Sequence, residues 1–305
     1  HAHRRAADRP HEDEGNNVQP RLRGGSRRPP REKCQFFRVY AYRKLFPKHV
    51  GGPRDGQYVG LDFGNLKELS NLDRKLRDAL LPMTLDVEHF AKVRLLAAAE
   101  DRGEDGYALM RDYLEASTDE QRNHLRTELK QRRNDPYAGA VVRKYQGDMP
   151  VWAFCEVVSF GTFTDLLRFC AARWDDKKLR RDHYQYKDTR QVRNASAHGA
   201  CILNDITSSD VPARPPAALV NAMNSYGIPR RLRTKWLSGR RMVQICSLAH
   251  IYAATVPEGS ARSERKSQLS DLFAAVEASS LPAENPAIAA LRFLQRLTKA
   301  AGLLD

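Results

Sequence analysis

The stretch LKELSNLDRKLRDALL sets Leu66, Leu69, Leu72, Leu76 and Leu80 three or four positions apart. That spacing puts all five on one face of a helix with 3.6 residues per turn and leaves Asp73, Arg74 and Arg77 off the stripe. A sheet would need a period of two. Alternation is weak throughout, and no Asn-Gly or Asp-Gly hairpin turn sits between β-branched runs, so the chain reads as all-α. Leu85, Phe90, Val93 and Leu96 form a second stripe after Pro82, which predicts a separate helix there. Thr118 to Arg133 is charged almost throughout and reads as a solvated helix or a long connection. MPVWAFCEVVSFG is expected to bury Trp152, Phe154, Val157 and Phe160 and to break at Gly161, with the helical period resuming from Phe163 to Cys170. Further helices are expected at about 188–202, 214–225, 240–255, 265–279 and 286–300, and short irregular segments near Tyr40 to Phe63. There is no internal repeat.

Residues 1–33 differ from the rest. They hold no aromatic residue, and RLRGGSRRPPREK cannot bury enough surface to offset its ordering entropy, so a disordered basic arm is expected before a helical domain over 34–305. The arm opens on His1 rather than Met, and reads as a trimmed, extended or misframed start more readily than as a dedicated RNA-binding tail. The 51 Lys and Arg against 37 Asp and Glu give a net charge of +14, which favours a polyanionic partner such as nucleic acid. Cys34, Cys155, Cys170, Cys201 and Cys246 are odd in number and have no zinc spacing, so they read as reduced thiols. With no apolar run of the roughly 20 residues that span a bilayer, and no signal peptide, the expectation is a soluble cytoplasmic protein that uses no cofactor and no metal and makes no membrane contact.

The chemistry gathers in TRQVRNASAHGACILND, residues 189–205. On a helix Asn194 and His198 are i and i+4 and share a face, whereas Arg193 lies one step round and must reach across. Small residues surround them, as a backbone that something approaches closely requires. Histidine can move a proton to or from a ribose hydroxyl, arginine can stabilise the added charge of a pentavalent phosphate, and an asparagine amide can hold either in place. Taken on spacing alone, R-N-x-x-x-H is a weak signal, since two polar residues on a helix are usually structural or solvent-facing. Just upstream, KKLRRDHYQYKDTRQVR interleaves Lys177, Lys178, Arg180, Arg181, Lys187 and Arg190 with Tyr184 and Tyr186, a composition suited to phosphate contacts and base stacking. The plainer reading is a solvated connecting loop. PRRLRTKWLSGRR, with Trp236, is a second basic cluster. His89, His124, His183 and His250 lack ligand spacing and read as ordinary residues.

VRNASAHGACILND closely resembles the R-N-x-x-A-H segment of the Abi (abortive infection, AbiD/AbiF-like) family, whose domain belongs to the HEPN group of helical ribonucleases. FFRVYAYRKLF, LKELSNLDRKLR, DVEHFAKVR and MPVWAFCEVVSFGTFTDLLRF resemble further blocks of that family in its order, over roughly residues 36–280. The resemblance implies a HEPN-like helical bundle with additional N- and C-terminal helices, a motif block over 149–205 and C-terminal helices over 240–300. It implies a phage-defence protein acting as a metal-independent endoribonuclease, with Arg193, His198 and Asn194 in the site. Glu156 would be the acidic residue facing the motif helix, its plain alternative being a buried carboxylate satisfied by a helix partner. Asp73 and Arg77 match the family's D-R-x-L-R helix and read as a structural salt bridge. Gly199 departs from the pattern, since many members carry a second His or an Asn there. The implied partners are RNA, a second copy of the chain in a homodimer, and a protein or RNA antitoxin. The other function class is a non-catalytic HEPN-like module of a toxin–antitoxin pair that binds RNA or a partner.

Overall fold

The computed structural model describes residues 39–207 and 213–305. The expected arm over 1–33, and Cys34, lie outside them. After a 3₁₀ turn (Tyr42–Leu45) the helices are α1 (Phe63–Asp101), α2 (Gly106–Ala116), α3 (Asp119–Arg132), α4 (Gly139–Lys144), α5 (Val151–Val157), α6 (Phe160–Arg173), α7 (Lys177–Ala197), α8 (Ala217–Ser225), α9 (Arg230–Trp236), α10 (Arg240–Thr255), α11 (Ser260–Glu277) and α12 (Pro286–Ala300). Among the described residues there is no strand, only an isolated bridge between Lys48 and Tyr58 within the irregular stretch expected there. The all-α expectation holds. α1 and α7 form the centre: α7 packs against α1, α6 and α10, and α1 also carries α11.

Pro82 does not divide the molecule as its chemistry predicts. It lies inside the 39-residue α1. A proline in a helix interior costs about 3 kcal/mol, but Leu80, Met83, Val87, Ala91 and Leu95 are all buried around and beyond it. At about 1.5–3 kcal/mol for each large apolar side chain, that burial outweighs the lost hydrogen bond and keeps one helix. The second stripe is correspondingly out of phase with the one read from sequence, since Leu85 and Val93 are exposed.

The expected break at Gly161 also moves. α5 ends at Val157 and Ser159 caps α6, its side chain accepting from the backbone N–H of Thr162. Gly161 is in the first turn of α6, where a Cβ would stand 2.5 Å from Nη1 of Arg190. Glycine is there because the Arg190 side chain of α7 crosses that turn. Phe154, Val157 and Phe160 are buried as expected, but Trp152 is 47% exposed, lying edge-on to Tyr107 over Gly106. Thr118 and Gln121 form a capping box at the start of α3, so the charged stretch is a helix rather than a connection.

Candidate functional site

α7 begins eleven residues before the helix expected at 188–202 is due to start, and it ends earlier. Asp176 caps it, accepting from Leu179 N–H at 2.9 Å, so the basic stretch read as a possible loop forms its first turns. At the other end His198 is the C-cap, Gly199 has φ +64°, Gly199 N–H donates to Ser196 O and Ala200 N–H to Ala195 O. This is a Schellman ending, which needs a left-handed residue at position 199. Glycine after the motif histidine therefore has a backbone reason.

His198 is exposed and Asn194 half-buried on the same face, as their spacing predicts. Arg193 is about 140° round the helix from His198, at ~100° per residue. It is half-buried, with Nη1 3.5 Å from Asn194 Oδ1 and with Nε shut off from solvent and unpartnered. Polar atoms buried without a partner recur along this helix, at His183 Nδ1, both Gln185 amide atoms, Arg190 Nε and Ser196 Oγ. Glu156 is exposed on α5, which removes the reading of it as a buried carboxylate. No hydrogen bond or ion pair among the described residues joins it to Arg193 or His198.

The basic residues of α7 divide. Lys177, Arg181, Tyr184 and Lys187 are exposed, Tyr184 by 61%. Lys178 is exposed but paired with Asp182 at 2.6 Å, and Arg180 with Asp175 at 3.3 Å. Arg190 packs against Gly161. Tyr186 is a core residue, 3% exposed and 3.4 Å from Thr255 Oγ1, so it is withdrawn from any stacking surface. Trp236 is buried too, stacked on Phe293 at 5.3 Å. Going along the exposed face from the N-terminal end, Arg181, Tyr184, Lys187, Gln191, Asn194 and His198 follow one another at helical spacing.

What the sequence did not reveal is how the segment after His198 is held. Asp73, wholly buried on α1, accepts from Tyr42 Oη at 2.8 Å, from Leu203 N–H at 2.7 Å and from Arg77 Nη1. Arg77 also donates to Ala200 O at 3.0 Å. Burial above all, and then the Asp73 charge, push the Tyr42 hydroxyl far above its ordinary pKa, so it stays a donor. From α10, Arg241 Nη1 donates to the carbonyls of Cys201 and Asn204. The Asp73–Arg77 pair is the salt bridge its spacing predicts, and it also grips the backbone two to five residues past His198. The signal was present in the D-R-x-L-R spacing, but its partner lay 130 residues away.

Asp188, on the inner side of α7, accepts from Ser247 Oγ at 2.9 Å, and burial raises its pKa against the lowering by Ser247 and Arg240. Cys155, Cys170 and Cys246 are buried free thiols, and burial pushes the Cys155 and Cys170 thiols up to about 12, which keeps them protonated and unreactive. No group of three His, Cys, Asp or Glu among the described residues could hold a metal ion, and no helix among them is long and apolar enough to cross a membrane. A cavity of about 420 Å³ between α2, α3 and α4 has apolar walls including Leu125 and Phe154 and involves none of the motif residues. A smaller cavity, about 140 Å³, lies beside the end of α7.

Compared with known proteins, residues 32–204 match the model of a family described as Abi-like protein. No curated protein and no solved structure matches the chain.

Proposed function

Because the chain belongs to the Abi-like protein family, we propose that it is an abortive-infection protein of phage defence that acts as a HEPN-type endoribonuclease. The observation carrying this reading is the exposed face of α7, where Arg181, Tyr184 and Lys187 lead at helical spacing to Asn194 and an exposed imidazole at His198. Cations neutralise the phosphates of a single strand and an exposed tyrosine offers a face for a base. His198 accepts the proton of a ribose 2′-hydroxyl, whose oxygen bonds to phosphorus as the bond to the 5′ oxygen breaks. Arg193 offsets the added charge on the pentavalent phosphate, and a second acid returns a proton to the leaving 5′ oxygen. The products are a 2′,3′-cyclic phosphate and a 5′-hydroxyl. The set of imidazole and guanidinium needs no metal.

One copy contributes one motif, and its Arg193 and His198 diverge by about 140°. A two-fold dimer that pairs these residues from two chains across one cleft would supply both the base and the acid. Mixing Arg193→Ala chains with His198→Ala chains tests this: a composite site regains part of the activity, and two self-contained dead sites regain none.

The same divergence, with Glu156 unconnected to either residue, favours a second reading, a non-catalytic module that binds RNA or an antitoxin. Incubation with end-labelled RNA in EDTA separates the two. Fragments ending in a cyclic phosphate support the nuclease. Retardation without cutting, at stoichiometric protein, rejects it.

A further inference from the structure

The smaller cavity lies between the last turns of α7, the segment gripped by Asp73 and Arg241, and the first turns of α10. We propose that it receives one nucleobase of the RNA, the base beside the phosphate at His198, and that the Gln191 and Gln244 amides read its edge. This rests on the nuclease reading and adds the element that selects where the strand is cut.

Size comes first. At about 140 Å³ the cleft is below the ~300 Å³ of ordinary small-molecule sites and several times the ~30 Å³ of one water, which leaves room for a single flat ring. Its floor is apolar, formed by Val192, Ile202 and Ile245, as a base face requires. Ala195 and Ala200 carry nothing beyond Cβ, so the ring can enter between α7 and the following segment. This is a use for the small residues around the motif.

The polar groups match a base better than a phosphate. The one cation at the cleft, Arg241, has its Nη1 committed to the carbonyls of Cys201 and Asn204. Beside that guanidinium and the Cys201 side chain, the cleft is lined by two neutral amides, each offering both donors and an acceptor, the combination with which proteins read exposed edges of unpaired bases. Position agrees as well. Gln191, Ala195 and His198 follow at i, i+4 and i+7 on one face, so the mouth of the cleft is about 5–10 Å from His198 along the helix axis. The cations of the same face lie on the far side of Gln191, where the strand's next phosphates would run. The wall formed by residues 200–204 is tied by a buried bond from Leu203 N–H to Asp73 and by bonds from Arg77 and Arg241 to its carbonyls, so the cleft is formed before the strand arrives.

The test uses fluorescein-labelled DNA oligonucleotides containing a single ribonucleotide, in two sets of four that vary either the base of that ribonucleotide or the base after it. Cleavage rates are measured for the wild-type protein and for Gln244→Ala, Gln191→Ala and Ala195→Leu, and binding by anisotropy for His198→Ala with and without Gln244→Ala. Circular dichroism confirms that each variant is folded, and the two glutamine variants carry the test if Ala195→Leu is not. The expected result is a base preference on the order of tenfold or more in one set, flattened by each folded variant. Equal rates for all four bases in both sets, unchanged by the variants, overturn the base cleft and leave the nuclease standing. Base-dependent binding that Gln244→Ala removes, in protein that never cuts, supports the cleft and rejects the nuclease. Neither cutting nor base-dependent binding overturns both.

Discussion

Replacing Asp73 with alanine tests whether the buried carboxylate of α1 is the anchor of the segment after His198. The side chain is inaccessible and accepts from Tyr42, Leu203 and Arg77. Its loss leaves the Tyr42 hydroxyl and the Leu203 N–H without their acceptor, and leaves a guanidinium whose side chain is only 11% exposed without its counter-charge. Removing one partner of a buried ion pair costs about 3–5 kcal/mol, a large part of the ~5–15 kcal/mol that holds a domain together. Urea unfolding followed by tryptophan fluorescence should show that loss in the midpoint at unchanged slope. Arg77→Met in the same background removes the orphaned charge, so the double variant should be less destabilised than the sum of the singles by ~1–3 kcal/mol. Amide exchange should rise across residues 199–206 in Asp73→Ala. A loss below about 1 kcal/mol, far under the range for a broken buried pair, or unchanged exchange in that segment, refutes the anchoring.

His198→Ala should abolish cleavage while shifting the melting temperature by no more than about 2 °C, because the side chain is exposed; a loss of the ~2–5 kcal/mol typical of a core Leu→Ala change would make it a structural residue. Gly161→Ala should gain nothing in the wild type, since the new Cβ meets Arg190, but should stabilise an Arg190→Ala background by up to ~1 kcal/mol, as alanine exceeds glycine in helix propensity; equal effects in both backgrounds, read from thermal melts, would contradict the contact. Burial lowers the pKa of His183, helped by Lys187 and Arg168 and opposed by Asp165 and a Thr164 backbone bond, and burial lowers that of His250, opposed by Asp182. Folded values below the unfolded ~6.5 mean that the unfolded chain takes up protons first, so their stability contribution is intact above about pH 6.5 and is lost as pH falls through the folded values. Melting temperatures from pH 7.5 to 5 should fall less steeply in a His183→Gln, His250→Gln protein, and parallel curves would reject the assignment.

The helical class was legible because Leu66 to Leu80 and the buried faces of α6, α10 and α12 obey the helical period, a signal local in sequence. Boundaries were less so. Pro82 carries a local penalty that any window of sequence registers, but the burial that outweighs it comes from helices far along the chain. Gly161 looked like a terminator for the same reason: its partner, Arg190, is 29 positions away. Trp152 and Tyr186 exchanged their expected roles, the tryptophan half-exposed and the tyrosine core, because a bulky aromatic has no sign in sequence of which neighbour will cover it.

For the site, the i and i+4 pairing of Asn194 and His198 was legible because a helix face is a local property. The placement of Arg193 was legible only as a step round, and the structure turns that step into a constraint. A guanidinium half-buried with Nε unpartnered cannot follow the exposed face to His198 without leaving the packing around it. The imidazole, in contrast, sits on a helix end whose following residues are tied by Asp73, Arg77 and Arg241, so it is held from behind and free in front. A rigidly mounted base and a separately oriented cation are complementary halves of one phosphoryl-transfer site only if a phosphate can touch both. Within a single copy that requires Arg193 to swing outward, and between two copies it requires only that the faces meet, which is why the mixing of the two inactive chains carries more information about this protein than either substitution alone.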